Sequence, residues 1–231
     1  MQDPMLGILS LDTTFPRILG DVGNPDSYPF AAQVTVVAGA DVQKVVRDGV
    51  VEAVLLQGFT DAARALEAQG ARAIVSTCGF LITAQAHVAS AVSVPVMLSA
   101  LSMYPVVRAA TQGRIGILTA SDVAFGPRAM AAAGIVPEDV VVQGLAHDPL
   151  FAQTFLAARD RQLTEFDRAD MEYAVVLAAQ ALQAGAPDIT AILMECGNLP
   201  PYADAVRVAT KLPVYHLLDG AAWMMAANGA R

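Results

Sequence analysis

The sequence predicts an α/β fold of two pseudo-symmetric lobes, each a parallel sheet flanked by helices, with a site in the cleft between them. Three observations lead there. Short runs rich in Ile, Val and Leu alternate with longer amphipathic stretches, the pattern of buried parallel strands joined by crossover helices. The chain also repeats itself: Ala73–Leu81 reads A-I-V-S-T-C-G-F-L and Ala191–Leu199 reads A-I-L-M-E-C-G-N-L, and a Pro-Val pair follows each cysteine by 17 residues, at Pro95 and Pro213. Finally, Leu6-Gly7-Ile8-Leu9-Ser10 is echoed by Ile115-Gly116-Ile117-Leu118-Thr119. The expected lobes are 1–103, completed by the C-terminal segment 217–231, and 104–216.

In chain order, the expected strands are Met5–Leu11, Gln33–Val37, Ala73–Ser76, Val94–Leu98, Arg114–Leu118, Val140–Val142, Ile189–Met194 and Leu212–Tyr215. They are short runs rich in Ile, Val and Leu, as expected of strands covered on both faces. Asp41–Asp48 reads as a short helix. Thr60–Gln69 reads as a helix stopped by Gly70. Thr83–Ala91 and Tyr202–Thr210 follow the two cysteines as equivalent helices. Thr164–Ala184 is the longest, closed by Gly185 and Pro187, and Leu217–Ala227 is the last. The segment between Asp12 and Phe30 is rich in Pro and Gly and leaves the end of the first strand. Open sheets bind ligands there, so the loop is expected to border the site.

Composition narrows the function. The chain has 231 residues, 55% of them hydrophobic and 16% charged, ample for a buried core. A net charge of −8 argues against nucleic-acid and anionic-membrane partners, which select for basic patches. No uninterrupted apolar run approaches the roughly 18 residues of a membrane span. No basic secretory n-region is visible, so a cytoplasmic setting with free thiols is the expectation. Phosphate-loop, dinucleotide and nucleophile-elbow motifs do not occur, and the three histidines lack metal-ligand spacing, so neither cofactor nor metal is expected.

The chemistry is expected at Cys78 and Cys196, the chain's two cysteines. Each follows a strand and precedes a helix, where backbone N–H groups and the helix dipole favour thiolate. Gly79 and Gly197 come next and let a ligand or the opposite backbone approach closely. A thiolate and a thiol on either side of a carbon suffice to remove an α-proton and return it from the other face. A buried, inert cysteine is the alternative for either residue alone, and a redox pair would require the sulfurs to close to bonding distance. Asp12, Thr13 and Arg17 end the first strand; Arg17 suits a carboxylate. Thr119, Ala120 and Ser121 end the matching strand, offering hydroxyls to a ligand or a cap to the next helix. Thr77 and Glu195 immediately precede the cysteines. The carboxylate beside Cys196 should keep that thiol neutral, leaving Cys78 as the resting thiolate. Phe80, Asn198 and His216 complete the expected lining.

With these residues in view, the chain resembles the aspartate/glutamate/hydantoin racemase superfamily along nearly its whole length. The likeness rests on G-I-L-S-L-D-T from Gly7, S-T-C-G-F around Cys78, I-G-I-L-T ending at Thr119 and M-E-C-G-N-L around Cys196. It implies cofactor-independent chemistry between two similar halves, with Cys78 and Cys196 as acid/base thiols, Asp12 bordering the substrate and Thr119 near its carboxylate. Amino-acid racemases of this kind carry Cys-Asn-Thr and Cys-Thr; here the motifs read Cys-Gly-Phe and Cys-Gly-Asn. The substrate implied is therefore a small molecule with a carboxylate or carbonyl in a less polar cleft. The superfamily also holds decarboxylases, maleate isomerases and sulfonium lyases. Its decarboxylases tend to keep one cysteine, so two favour a racemase or epimerase. A lyase or decarboxylase, and a non-catalytic two-lobed binding protein, are the alternatives. A homodimer is expected by analogy alone.

Overall fold

The structure is a computed structural model that describes residues 5–229. Met1–Pro4 and the last two residues, part of the expected lobe boundaries, lie outside the described residues. Two four-stranded, all-parallel sheets form the frame. The first holds β1 (Met5–Ser10), β2 (Ala31–Val36), β3 (Ala71–Ser76) and β4 (Val96–Met97) in the order β2-β1-β3-β4. The second holds β5 (Arg114–Thr119), β6 (Val140–Gly144), β7 (Ile189–Met194) and β8 (Val214–Tyr215) in the order β6-β5-β7-β8, the same topology. The likeness reaches the register: β1 against β3 and β5 against β7 both slip after their first residue.

Equivalent helices cover equivalent strands for a common reason. Helix α2 (Ala53–Ala68) buries Leu55, Phe59, Ala63 and Leu66, and α7 (Arg168–Gly185) buries Met171, Val175, Ala179 and Leu182. Both stripes have the same helical spacing and face the central strands. Gly7 in β1 and Gly116 in β5 make room for them: a Cβ there would lie 3.0 Å from Leu66 Cδ1 and 2.7 Å from Leu182 Cδ2. The echoed Ile-Gly-Ile-Leu is thus a packing motif. The two short strands start late because Pro95 and Pro213 lack an N–H; their carbonyls instead accept from Ile74 and Ile192 at 2.9 and 2.8 Å.

Other departures from expectation also have local causes. Helix α2 starts at Ala53 rather than Thr60, because exposed Val54 blurs the amphipathic pattern; Thr60 sits mid-helix, donating to Leu56 O at 2.8 Å. Between Cys78 and α3 (Gln85–Ala89) lies a 3-10 turn, Gly79–Ala84. Helix α7 begins after Asp167, whose carboxylate accepts from the Ala169 and Asp170 amides. The expected helix at Asp41–Asp48 shortens to α1 (Val42–Val45). Helices α4 (Tyr104–Ala110), α5 (Pro127–Ala133) and α6 (Pro149–Phe151, continuing as a π turn through Leu156) are too short to show a clear period. Helix α8 (Ala203–Thr210) matches α3, and α9 (Leu217–Ala227) closes the chain. No described helix is long and apolar enough to cross a membrane.

Two helices lie across the halves. α9, which follows the second sheet, packs on β3 and β4 of the first. α4, which follows the first sheet, reaches the second: Arg108 Nε donates to Asp139 Oδ2 at 3.0 Å, just before β6.

Candidate active site

The two cysteine turns meet at the C-terminal ends of the central strands. After β3, Thr77 N donates to Leu9 O at 3.0 Å; after β7, Glu195 N donates to Leu118 O at 2.8 Å. Leu81 N and Leu199 N then close each turn onto the carbonyls of Cys78 and Cys196, both at 3.1 Å. The turns abut reciprocally. A Cβ on Gly79 would strike the carbonyl and carboxylate oxygens of Glu195, and one on Gly197 would strike Thr77 O. Each glycine therefore faces the residue that precedes the opposite cysteine, as an approximate twofold requires. Of the two uses expected for Cys-Gly, close approach of the opposite backbone is the one present.

Cys78 and Cys196, each 8% exposed, line one narrow cleft. Its space for the centre of a water molecule is about 20 Å³, room for one or two waters and no more. Phe15, Phe80 and Phe155 supply aromatic wall, and Leu11, Val42, Val46 and Leu156 aliphatic wall. Phe15 and Phe155 meet edge to face at 4.9 Å between centroids. Among the described residues, Arg17 is the one cation in the lining. It stacks 4.5 Å from the Phe15 centroid, donates to Thr13 Oγ1 at 3.2 Å and pairs with Asp21 Oδ1 at 3.1 Å. Asp21 Oδ2 also accepts from Asn198 Nδ2 at 2.7 Å. That bond fixes the amide, because a carboxylate accepts only, and turns Asn198 Oδ1 toward the Cys196 thiol, which donates to it at 3.5 Å.

Burial dominates the electrostatics. It pushes the Cys78 thiol up to about 12, with the Glu195 charge adding to the rise; the Phe80 and Leu81 amides and Arg17 oppose it but do not win. Burial, again with Glu195, raises Cys196 well above its ordinary value. The expectation of a resting Cys78 thiolate is therefore corrected: the carboxylate bears on both sulfurs, and desolvation outweighs the turn amides. Glu195 itself, 2% exposed, is raised to about 7 by burial, against a hydrogen bond from Thr119 and the Ala120 amide. Thr119 Oγ1 donates to Oε2 at 2.8 Å, while Oε1 has no partner among the described residues.

Of the expected site residues, Arg17, Thr77, Cys78, Gly79, Phe80, Ala120, Glu195, Cys196 and Asn198 line the cleft. Six others do not. Asp12 pairs with Arg159 at 2.7 Å, and Thr13 holds Arg17. Thr119 stands behind Glu195. Ser121 borders a neighbouring depression and caps the following turn, accepting from Ala124 N at 3.2 Å. Gly197 packs on Thr77. His216 starts α9, its N–H donating to Asp219 Oδ2 at 2.9 Å, with the Arg207 guanidinium 3.3 Å from Nε2. The sequence reading missed Asp21 and Phe15, whose only signal is the loop in which they sit, and Phe155, which sits in the π turn after α6.

Loops from both lobes zip shut over this cleft. Thr14 N donates to Gln162 Oε1 at 2.8 Å and Thr14 Oγ1 to Arg159 O at 2.9 Å. Arg159 N donates to Asp41 Oδ2 at 3.2 Å, and Gln43 Nε2 to Leu156 O.

Comparison with known proteins decides the family. A dimethylsulfoniopropionate lyase of Durusdinium sp. clade D is 32% identical over 94% of this chain and 72% of its own length. The chain belongs to the dimethylsulfoniopropionate lyase family. Dimethylsulfoniopropionate lyase 3 of Emiliania huxleyi (strain CCMP1516) is 34% identical over 92% of the chain. The chain spans only 56% of that relative's length. No family model matches. Among solved structures, allantoin racemase from Klebsiella pneumoniae superposes with a TM-score of 0.65 at 16% identity, over 97% of this chain and 86% of the racemase. Unliganded arylmalonate decarboxylase gives 0.54 at 18% identity, over 91% and 86%. This member of the lyase family thus has the fold of the aspartate/glutamate/hydantoin racemase superfamily.

Proposed function

We propose that the chain is a lyase that removes a thioether from dimethylsulfoniopropionate or a similar β-sulfonio carboxylate. The observation that carries this reading is the match to a dimethylsulfoniopropionate lyase over 94% of the chain. It favours the lyase alternative over the racemase expected first. The cleft supports it. Arg17, a cation among the lining residues, suits a carboxylate, and Phe15, Phe80 and Phe155 give the cleft an aromatic wall suited to a sulfonium. A thiolate takes the proton α to the carboxylate, the electrons of that C–H bond form the C=C bond, and the C–S bond breaks toward sulfur. Acrylate and neutral dimethyl sulfide leave, and the thiol keeps the proton until it is returned to solvent.

The presence of two thiols at equivalent positions also favours a second reading, inversion at an α-carbon. One experiment separates them. The protein is incubated with dimethylsulfoniopropionate in D₂O, with dimethyl sulfide followed in the headspace and acrylate and α-deuteration by NMR. Equal amounts of the two products are expected. Deuterium uptake without fragmentation would overturn the lyase reading, and loss of optical rotation from a single enantiomer of an α-substituted carboxylate would then establish inversion. Loss of the thiol that serves as the base, by Cys78→Ser or Cys196→Ser, should lower turnover by about 10²–10⁴-fold.

A further inference from the structure

Among the described residues, Glu195 is the one carboxyl in the cleft lining, and a thiol base leaves it without a task. Its side chain leaves the end of the second lobe's central strand and lies over Gly79, the residue after Cys78, in the space a side chain there would fill. Oε2 is held by Thr119; Oε1 is buried and without a partner among the described residues. A buried carboxyl oxygen left free costs stability, and here it lines the reaction cleft. The two thiols differ in their surroundings. Cys196 already donates to Asn198 Oδ1, itself pinned by Asp21. Cys78 has no such side-chain acceptor.

We propose that Glu195 is the proton acceptor of Cys78: its carboxylate takes the thiol proton as Cys78 attacks, so that thiolate forms inside a closed cleft without help from solvent. The inference rests on the proposed reading that a thiol removes the α-proton. The step balances: the S–H bond breaks, its electron pair stays on sulfur, and the proton forms an O–H bond on Glu195. After Cys78 takes the substrate's proton, Glu195 returns its own to solvent when the cleft opens. Cys196, held to Asn198, stays a neutral thiol. The charged or titratable groups around Glu195 are Arg17, Cys78 and Cys196 in the lining and Asp21 behind Arg17. Its position near neutrality, about 7, suits an acceptor that must load and discharge.

The test needs no substrate, so its outcome is independent of the lyase reading. Alkylation of each cysteine by iodoacetamide is followed against pH by peptide mass spectrometry in the wild type, Glu195→Gln and Glu195→Asp. In the wild type, Cys78 should react with an inflection near 7, where Glu195 becomes an acceptor. In Glu195→Gln that inflection should vanish and Cys78 should react about tenfold slower or more above it; Glu195→Asp should keep it. If the carboxylate acts only as a like charge, its removal eases thiol ionisation, and equal or faster alkylation of Cys78 would overturn the proposal. Should Glu195→Gln not fold, Thr119→Val removes the hydrogen bond that favours the anion and should move the inflection to higher pH. An unmoved inflection would also overturn it.

Discussion

At Glu195 a carboxyl is kept where water would ordinarily be needed to keep it charged, and the cost is measurable. Burial raises it from 4.5 to about 7, so folding favours the neutral acid. Its contribution to stability is complete below the lower value and is lost as pH rises through the upper one. Glu195→Gln should therefore gain on the wild type by about 3 kcal/mol across that window, as read by denaturant unfolding at a series of pH values. Gly79 sets a second prediction. A Cβ there meets the Glu195 backbone, which cannot swing aside as a side-chain tip does. Gly79→Ala should cost about 1–3 kcal/mol and misplace Cys78, lowering turnover as well as the melting temperature. The meeting of the two cysteine turns was legible in the chain, because a repeated Cys-Gly after a strand carries its own spacing. Asp21 was not. Its carboxylate orients Asn198 from the far side of the cleft, and nothing in a Pro- and Gly-rich loop announces such a partner.

Among the elements, the loops that cross the cleft decide access. The cleft is narrow, and hydrogen bonds between loops of the two lobes close over it. The crossing bonds are few, and the Asp12–Arg159 pair is half exposed on its arginine side. Arg159→Ala should then cost less than about 1 kcal/mol of global stability. It should speed amide hydrogen exchange across 150–162 and change KM more than the chemical step. Equal exchange in both proteins would remove the gating role. Elements were readable from sequence in proportion to their period. The central strands declare themselves as unbroken apolar runs, and α9 does so by a run that matches its observed bounds. The π turn at Ala152–Leu156 has neither period nor cap, yet it brings Phe155 to the cleft wall.

Across the whole molecule, the halves exchange helices: α9 covers the first sheet and α4 reaches the second. Leu217, Ala221, Met224 and Met225 of α9 are buried, and Gly220 brings it close to Met97 and Met103. Truncation after His216 should expose the face of β3 and β4, and the product should lose cooperative unfolding or aggregate, as circular dichroism and light scattering would report. The duplicated topology was readable because the echo includes the packing glycines. The sequence reading also placed 217–231 with the first lobe and opened the second at 104.

The reciprocal fit of the two glycines has a consequence for substitution. The residue beside each thiol is not free to vary with its own half alone. Room for a side chain at Gly79 can be made only at Glu195, and room at Gly197 only at Thr77. Substitutions at these positions, remote in the chain, are therefore coupled, and a fusion of halves taken from two divergent relatives should fail first at this seam.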